Sequence, residues 1–231
     1  MKNSRIVAMG SVLQLYMLCS ISFRLVRGET GGIYGTHRGA ILGPFLGFTA
    51  ALTGSLTARM IKPDPFWMFG IIAEPVGVLA AGMLFKTRWK TVLGLYLATL
   101  VAYFMHPYGR SLPFWTILDV LAALALIYPA AKIGGKIQTA NIKRLSLKMA
   151  SVSFVCIATD SLIRIFLLIP CGLHILFFGN FDSLFAAFVE AAVQSYIEDL
   201  IAVVVSLFVG VPLLSTMLKH GFLIGEKGNR G

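Results

Sequence analysis

The stretch Gly39–Ala58, GAILGPFLGFTAALTGSLTA, decides the fold class, because its small residues fall at Gly39, Gly43, Gly47, Ala51, Gly54 and Ala58. At about 100° per residue these positions occupy an arc of roughly 120° on one helix face. In water such a helix is unfavourable, since each glycine costs on the order of 0.5–1 kcal/mol against alanine. In lipid there is little hydrophobic drive between helices, and a groove of small residues lets a second backbone approach closely enough for dispersion contacts to hold the pair. The intervening residues are apolar rather than Ser or Asn, which argues against a flexible glycine-rich loop. Pro44 cannot donate to the carbonyl of Ala40, so the helix kinks or begins there. We read it as beginning at Pro44 with Gly43 as cap. The helix-docking face is then Gly47, Ala51, Gly54 and Ala58, while Gly39 and Gly43 belong to the preceding loop.

Outward from this stretch the composition agrees. The 231 residues are 57% hydrophobic and 13% charged, with a mean hydropathy of +0.82, against about 25% charged residues in ordinary soluble domains. The expected fold is all-α, a polytopic transmembrane bundle of six to seven helices in one integral membrane domain, placed in the plasma membrane as a multi-pass protein. The net charge of +10, from 20 Lys and Arg against 10 Asp and Glu, implies no nucleic-acid partner, because the basic residues sit mostly between apolar runs, as cytoplasmic loops require. Cys19, Cys156 and Cys171 stand singly, so neither a disulfide framework nor a metal site is indicated.

Apolar runs near the ~20 residues that span a bilayer fall at about 6–26, 39–60, 66–85, 91–105, 114–131, 147–169 and 184–218. The first has a basic start but no small-x-small cleavage site, and it is read as a spanning helix rather than a signal peptide. The last, on the order of 50 Å long at 1.5 Å per residue, is expected to divide into Ser183–Asp199 and Leu200–Leu218. Lys86, Arg88 and Lys90, then Lys132, Lys136, Lys143, Arg144 and Lys148, then Lys219, Lys227 and Arg230, are separated by pairs of crossings, which puts all three groups on the cytoplasmic side. The polar linker 133–148 separates a front bundle, 1–132, from a two-segment back, 149–218, and a short polar tail, 219–231.

Ionisable residues inside such segments need a partner or a cavity. Glu74 precedes Pro75 in the third run, where it either contacts a ligand or pairs with a neighbouring helix. Asp119 follows Trp115 at the start of the fifth, after a loop holding His106, Tyr108 and Arg110; the loop is either the mouth of a site or an interfacial aromatic belt. Asp160 and Arg164 stand four apart with the acid first, the favourable order for a helical ion pair, and are read as neutralising each other. Glu190, Gln194 and Glu198 form a ridge at four-residue spacing, with Asp199 beside it. That ridge lines a cavity or forms the wet face of an interfacial helix. Tyr34, Trp67, Tyr108 and Trp115 suit stacking on a flat ring. Gly134-Gly135-Lys136 lacks the spacing of a phosphate-binding loop, and neither H-E-x-x-H nor G-x-S-x-G occurs. No enzyme activity and no cofactor is expected, and active transport would draw on an ion gradient or another subunit.

Gly31-Gly32-Ile33-Tyr34-Gly35-Thr36-His37, then Gly43-Pro44 with spaced glycines to Gly54, a Pro63/Pro65 turn, a helix holding Glu74 with small residues to Gly82, a basic loop, and a closing Gly210-Val211-Pro212-Leu213-Leu214 follow one another in that order. This order resembles the substrate-capture (S) component of energy-coupling-factor (ECF) transporters, most closely over about 28–90 and again near 200–218. The resemblance implies capture of a vitamin or related solute near the extracellular face, beneath a cap from Gly28 to Arg38. It also implies partnership with a transmembrane coupling subunit and cytosolic ATPases. The expected substrate-binding set is Tyr34, His37, Trp67, Glu74, His106, Tyr108, Arg110, Trp115, Asp119 and Glu190. Two other classes stand beside it: an ion-driven carrier dependent on Asp160, Glu190 or Glu198, and a lipid-modifying enzyme built on 106–119.

Overall fold

The computed structural model describes residues 35–61, 67–133 and 142–219. The first apolar run, most of the expected cap, the Pro63/Pro65 turn and most of the tail lie outside them. Among the described residues every regular element is helical: α1 (Gly35–Leu42), α2 (Pro44–Ile61), α3 (Trp67–Phe85), α4 (Trp89–Met105), α5 (Pro107–Ser111), a 3-10 turn (Phe114–Ile117), α6 (Leu118–Lys132), α7 (Ile142–Leu168), α8 (His174–Phe177), α9 (Phe181–Val205), a π turn (Ser206–Gly210) and α10 (Val211–Lys219).

Among the described residues four stretches are long and apolar enough to cross a membrane: Met68–Phe85, Phe114–Lys132, Ile142–Leu168 and Phe181–Thr216. They match the third, fifth, sixth and last apolar runs, and α4 is a shorter apolar helix. The expected division of the last run after Asp199 is corrected. Nothing between Glu198 and Ile201 breaks a helix, and α9 continues to Val205. The irregularity comes at the π turn, where the Val211 N–H donates to the Ser206 carbonyl five residues back. Pro212 lies just beyond; it lacks an N–H and crowds the carbonyl four residues earlier, and a widened turn relieves that conflict.

Gly43 has φ +80°, in the left-handed region that favours glycine, and separates α1 from α2, whose first residue is Pro44. The loop assignment of Gly39 is corrected: it belongs to α1, and a Cβ there would come within 2.7 Å of both the Gly82 nitrogen and the Val78 carbonyl oxygen of α3. Gly82 in turn backs onto Pro44, whose Cα would lie 2.6 Å from a Cβ added at Gly82. Along α2, Gly47, Ala51 and Ser55 are buried, whereas Gly54 and Ala58 are partly buried.

Helix α7 is the hub, packing on α1, α3, α4, α6 and α9. Its contact with α3 is close because Gly77 faces the Cys156 carbonyl, leaving 2.7 Å for a Cβ. The main core joins Ala80, Ala81 and Leu84 of α3 with Tyr96 of α4, Val120, Ala123 and Ile127 of α6, and Val152, Val155 and Leu162 of α7. The fully buried Tyr96 hydroxyl reaches the Val155 carbonyl at 3.3 Å and Thr159 Oγ1 at 3.0 Å, tying α4 to α7. The Trp89–Tyr128 ring contact, the Lys148 ammonium 5.5 Å over the Phe85 ring, and Met149 packed with Val211 and Leu214 bring the C-terminal ends of α3 and α6 and the helix α10 together with the N-terminal ends of α4 and α7. Lys86, Arg88, Lys90, Lys132, Lys143 and Arg144 belong to this basic end. The opposite end gathers the N-terminal ends of α6 and α9 and the C-terminal end of α7.

Candidate functional site

At that opposite end two cavities lie between α7 and α9. One, of about 140 Å³, is lined by Thr116, Asp119, Asp160, Ser161, Arg164, Phe188, Ser195 and Glu198, among others. The other, of about 400 Å³, is bounded by Phe69 of α3, Leu168 of α7, Phe178, and Ala187, Glu190 and Gln194 of α9. Arg164, Ile165, Phe188, Ala191 and Gln194 form walls of both.

Local structure sets each polar group. Asp119 stands where the 3-10 turn passes into α6; its Oδ1 accepts the Val120 N–H at 2.8 Å and its Oδ2 accepts the Ser195 hydroxyl at 2.7 Å. Ser195 Oγ is 2.9 Å from Ser161 Oγ. A hydroxyl has one proton, and Ser195 gives its own to Asp119, so Ser161 donates to Ser195. This chain of three residues joins α6, α9 and α7. On α7 the Arg164 Nε donates to Asp160 Oδ2 at 2.7 Å, one helical turn apart, as their spacing predicts. On α9 Gln194 Nε2 donates to Glu198 Oε1 at 3.0 Å. Asp199, beside Glu198 and 4% exposed, has neither carboxylate oxygen hydrogen-bonded.

A second polar knot lies beside the cavities. Arg59 of α2 donates to Glu74 of α3 at 3.0 Å, and its other terminal nitrogen donates to Ser55, whose hydroxyl donates to the Gly70 carbonyl at 3.2 Å. Gly70 leaves the space that the guanidinium fills, since a Cβ there would overlap it. Of the two sequence readings of Glu74, the structure displays the pairing with a neighbouring helix.

The remaining expected residues separate. His106, Tyr108 and His174 pack ring against ring, with centroids 5.1–5.7 Å apart, and Tyr108 continues to Phe181 at 5.2 Å. His106 Nδ1 accepts the Tyr108 N–H at 3.3 Å, while His174 Nδ1 donates to the Leu168 carbonyl at 3.0 Å. Arg110 is exposed and donates to the Met105 carbonyl, and the Trp115 carbonyl accepts from the Tyr196 hydroxyl. None of His106, Tyr108, Arg110 and Trp115 lines either cavity; Asp119 and Glu190 do. Tyr34 lies outside the described residues, and His37 and Trp67 are placed only by α1 and α3. Residues not anticipated for the site are Ser161, Phe188 and Ser195. Serine at helical positions carries no signal in one sequence, and its role here exists only through the crossing of α7 and α9.

No protein-family model matches the chain, and no solved structure matches it. A Methanocaldococcus jannaschii protein described as uncharacterized, MJ0923, is 25% identical over 126 residues, which is 54% of this chain and 42% of that protein. The match therefore spans less than half the length of the relative.

Proposed function

We propose that this chain is a substrate-binding membrane subunit of the ECF type, capturing a small micronutrient from the extracellular side for uptake powered by partner subunits. The observation that carries the solute-capture reading is the pair of adjoining cavities around Arg164. The larger, of about 400 Å³, falls in the range of about 300–1,000 Å³ common for small-molecule pockets. The basic end of the bundle faces the cytoplasm by the positive-inside rule, so the cavities belong to the outer half. Between them and the basic end stands the packed core of Ala81, Tyr96, Ile127 and Val155. Cavities in the outer half with a packed core on their inward side suit capture from outside followed by reorientation.

On this reading the chain has six to seven spanning helices in the plasma membrane and docks helices through small-residue faces on α2. It uses a coupling subunit and cytosolic ATPases supplied in trans, and it carries no catalytic centre or cofactor of its own. The order of glycine and proline motifs supports the ECF assignment. A thermal-shift screen of vitamins, bases and amino acids on purified protein tests solute capture: we expect a saturable hit of sub-micromolar affinity. A full screen without any saturable hit overturns the reading. Co-purification under mild detergent tests the partners, and recovery without a coupling subunit or ATPase contradicts the ECF assignment.

A second reading, an ion-coupled carrier acting alone, is favoured by one observation. Asp199 keeps both carboxylate oxygens without a partner, and Asp160 keeps one; such intramembrane acids are common in proton and cation relays. Uptake driven by an ion gradient in vesicles without ATP would select it.

A further inference from the structure

We infer that an anionic phospholipid seats its headgroup between Lys90 and Lys132, where α4 and α6 meet at the basic end of the bundle. The inference goes beyond solute capture and does not depend on it.

Four side chains build the seat. Trp89 and Lys90 open α4, while Tyr128 and Lys132 stand in the last turn and a half of α6. The indole and phenol rings meet edge to face, with centroids 5.2 Å apart and planes at 85°. The Lys90 ammonium lies 5.9 Å from the Trp89 ring centroid and the Lys132 ammonium 5.0 Å from that of Tyr128, both within the ~6 Å over which a ring attracts a cation. Two cations thus flank one aromatic pair supplied by two helices. Each ring restrains its lysine, so a ligand has less side-chain freedom to freeze than at a free surface lysine.

Both lysines are exposed, and neither has a carboxylate partner among the described residues. The sequence offers none nearby: no Asp or Glu occurs from Pro75 to Leu118 or from Val120 to Thr159. The pair is an uncompensated double positive charge, open to an anion from outside the chain.

Depth and neighbours select a lipid. Lys132 ends the apolar stretch Phe114–Lys132, so the four groups stand where hydrocarbon gives way to headgroups, the level at which Trp and Tyr collect and Lys reaches toward water. Lys90, Gly94, Leu97 and Val101 are spaced to share one face of α4. Leu97 and Val101 are 48% and 56% exposed, and no neighbouring atom lies within 4 Å of a Cβ placed at Gly94. On α6 the same spacing puts Tyr128 and Ala125, both exposed, on the face of Lys132. A phosphate held by the lysines therefore has apolar surface beneath it for acyl chains. A free anion leaves that surface unused, and an acidic protein segment would hold its carboxylates beside hydrocarbon, where charge is costly. The cytoplasmic leaflet, to which the positive-inside rule assigns this end, is also the leaflet that carries negative surface charge.

The full chain in a neutral detergent is titrated with dioleoyl phosphatidylglycerol, dioleoyl phosphatidylcholine or glycerophosphoglycerol, the first lipid's headgroup without its chains. Thermal unfolding is followed at constant ionic strength, each variant against its own lipid-free midpoint. We expect saturable stabilisation by phosphatidylglycerol alone, with apparent affinity weakened about tenfold or more in Lys90→Gln/Lys132→Gln. Lys86→Gln/Lys143→Gln removes the same charge from exposed positions at the same end and should keep the affinity of the original chain. No saturable response to phosphatidylglycerol, an equal response to phosphatidylcholine or to the free headgroup, or undiminished affinity in Lys90→Gln/Lys132→Gln overturns the inference. An equal loss in both double variants overturns it as well, because it shows diffuse attraction in place of a seat. Displacement of phosphatidylglycerol by poly-L-glutamate at matched charge assigns the patch to acidic protein and has the same force.

Discussion

Arg59 on α2 and Glu74 on α3 meet at 3.0 Å, with side-chain exposures of only 9% and 5%. Taking two charges out of water is expensive, and breaking such a pair leaves one of them uncompensated, a loss of about 3–5 kcal/mol. Arg59→Met and Glu74→Leu should therefore each lower the thermal unfolding midpoint sharply. The double replacement Arg59→Met/Glu74→Leu should recover most of that loss. A double-mutant cycle read by unfolding in one detergent checks this, and additive losses would show that the two groups are not coupled.

Ser195→Ala takes the hydroxyl donor from Asp119, while Ser161→Ala only takes the donor from Ser195. A hydrogen bond to a charged group contributes about 1.5–3 kcal/mol and a neutral one about 0.5–1.5 kcal/mol. Ser195→Ala should be the more destabilising, and the double variant should cost less than the sum, because both act through one chain of bonds. Equal single losses would contradict the direction of donation assigned above.

Glycines of this chain should respond to alanine with opposite signs. At Gly82 a Cβ meets Pro44 backbone atoms at 2.6–2.7 Å, and at Gly77 it meets the Cys156 carbonyl at 2.7 Å. Neither neighbour is a flexible side chain, so α3 must move away from α2 or α7, and both variants should unfold at lower temperature. Gly94 on α4 has nothing within 4 Å. Gly94→Ala should raise stability by about 0.5–1 kcal/mol through helix propensity alone. Melting curves of the three variants decide it.

Hydropathy and prolines made the helical elements legible, since a bilayer demands long apolar runs and Pro44 admits few backbone solutions. The small-residue arc was legible as a tendency toward close packing but not as a set of contacts. The tightest approaches to neighbouring backbone include those of Gly39, Gly77 and Gly82, and the partner of each is known only once the helices cross. The unbroken course of α9 through Asp199 was obscured because acidic residues in an apolar run look like a boundary. In the folded chain Glu190, Gln194 and Glu198 instead line the cavities between α7 and α9. The Asp160–Arg164 pair was legible from its spacing, whereas its place in the cavity wall depends on Phe188 and Ser195, which carry no periodic signal. His106 and Tyr108 suit a site mouth by residue type; their packing against His174 depends on the segment after α7, far away in sequence.

An outward-facing solute cavity between α7 and α9 is tested most directly by labelling a cysteine in its wall. Gln194 borders both chambers and is exposed. Gln194→Cys is placed in a chain carrying Cys19→Ser and Cys171→Ser, with the buried Cys156 retained, and treated with a membrane-impermeant thiol reagent. Outward access predicts rapid modification in right-side-out vesicles, slow modification in inside-out vesicles, and protection by the solute found in the thermal-shift screen. Modification confined to inside-out vesicles would contradict it.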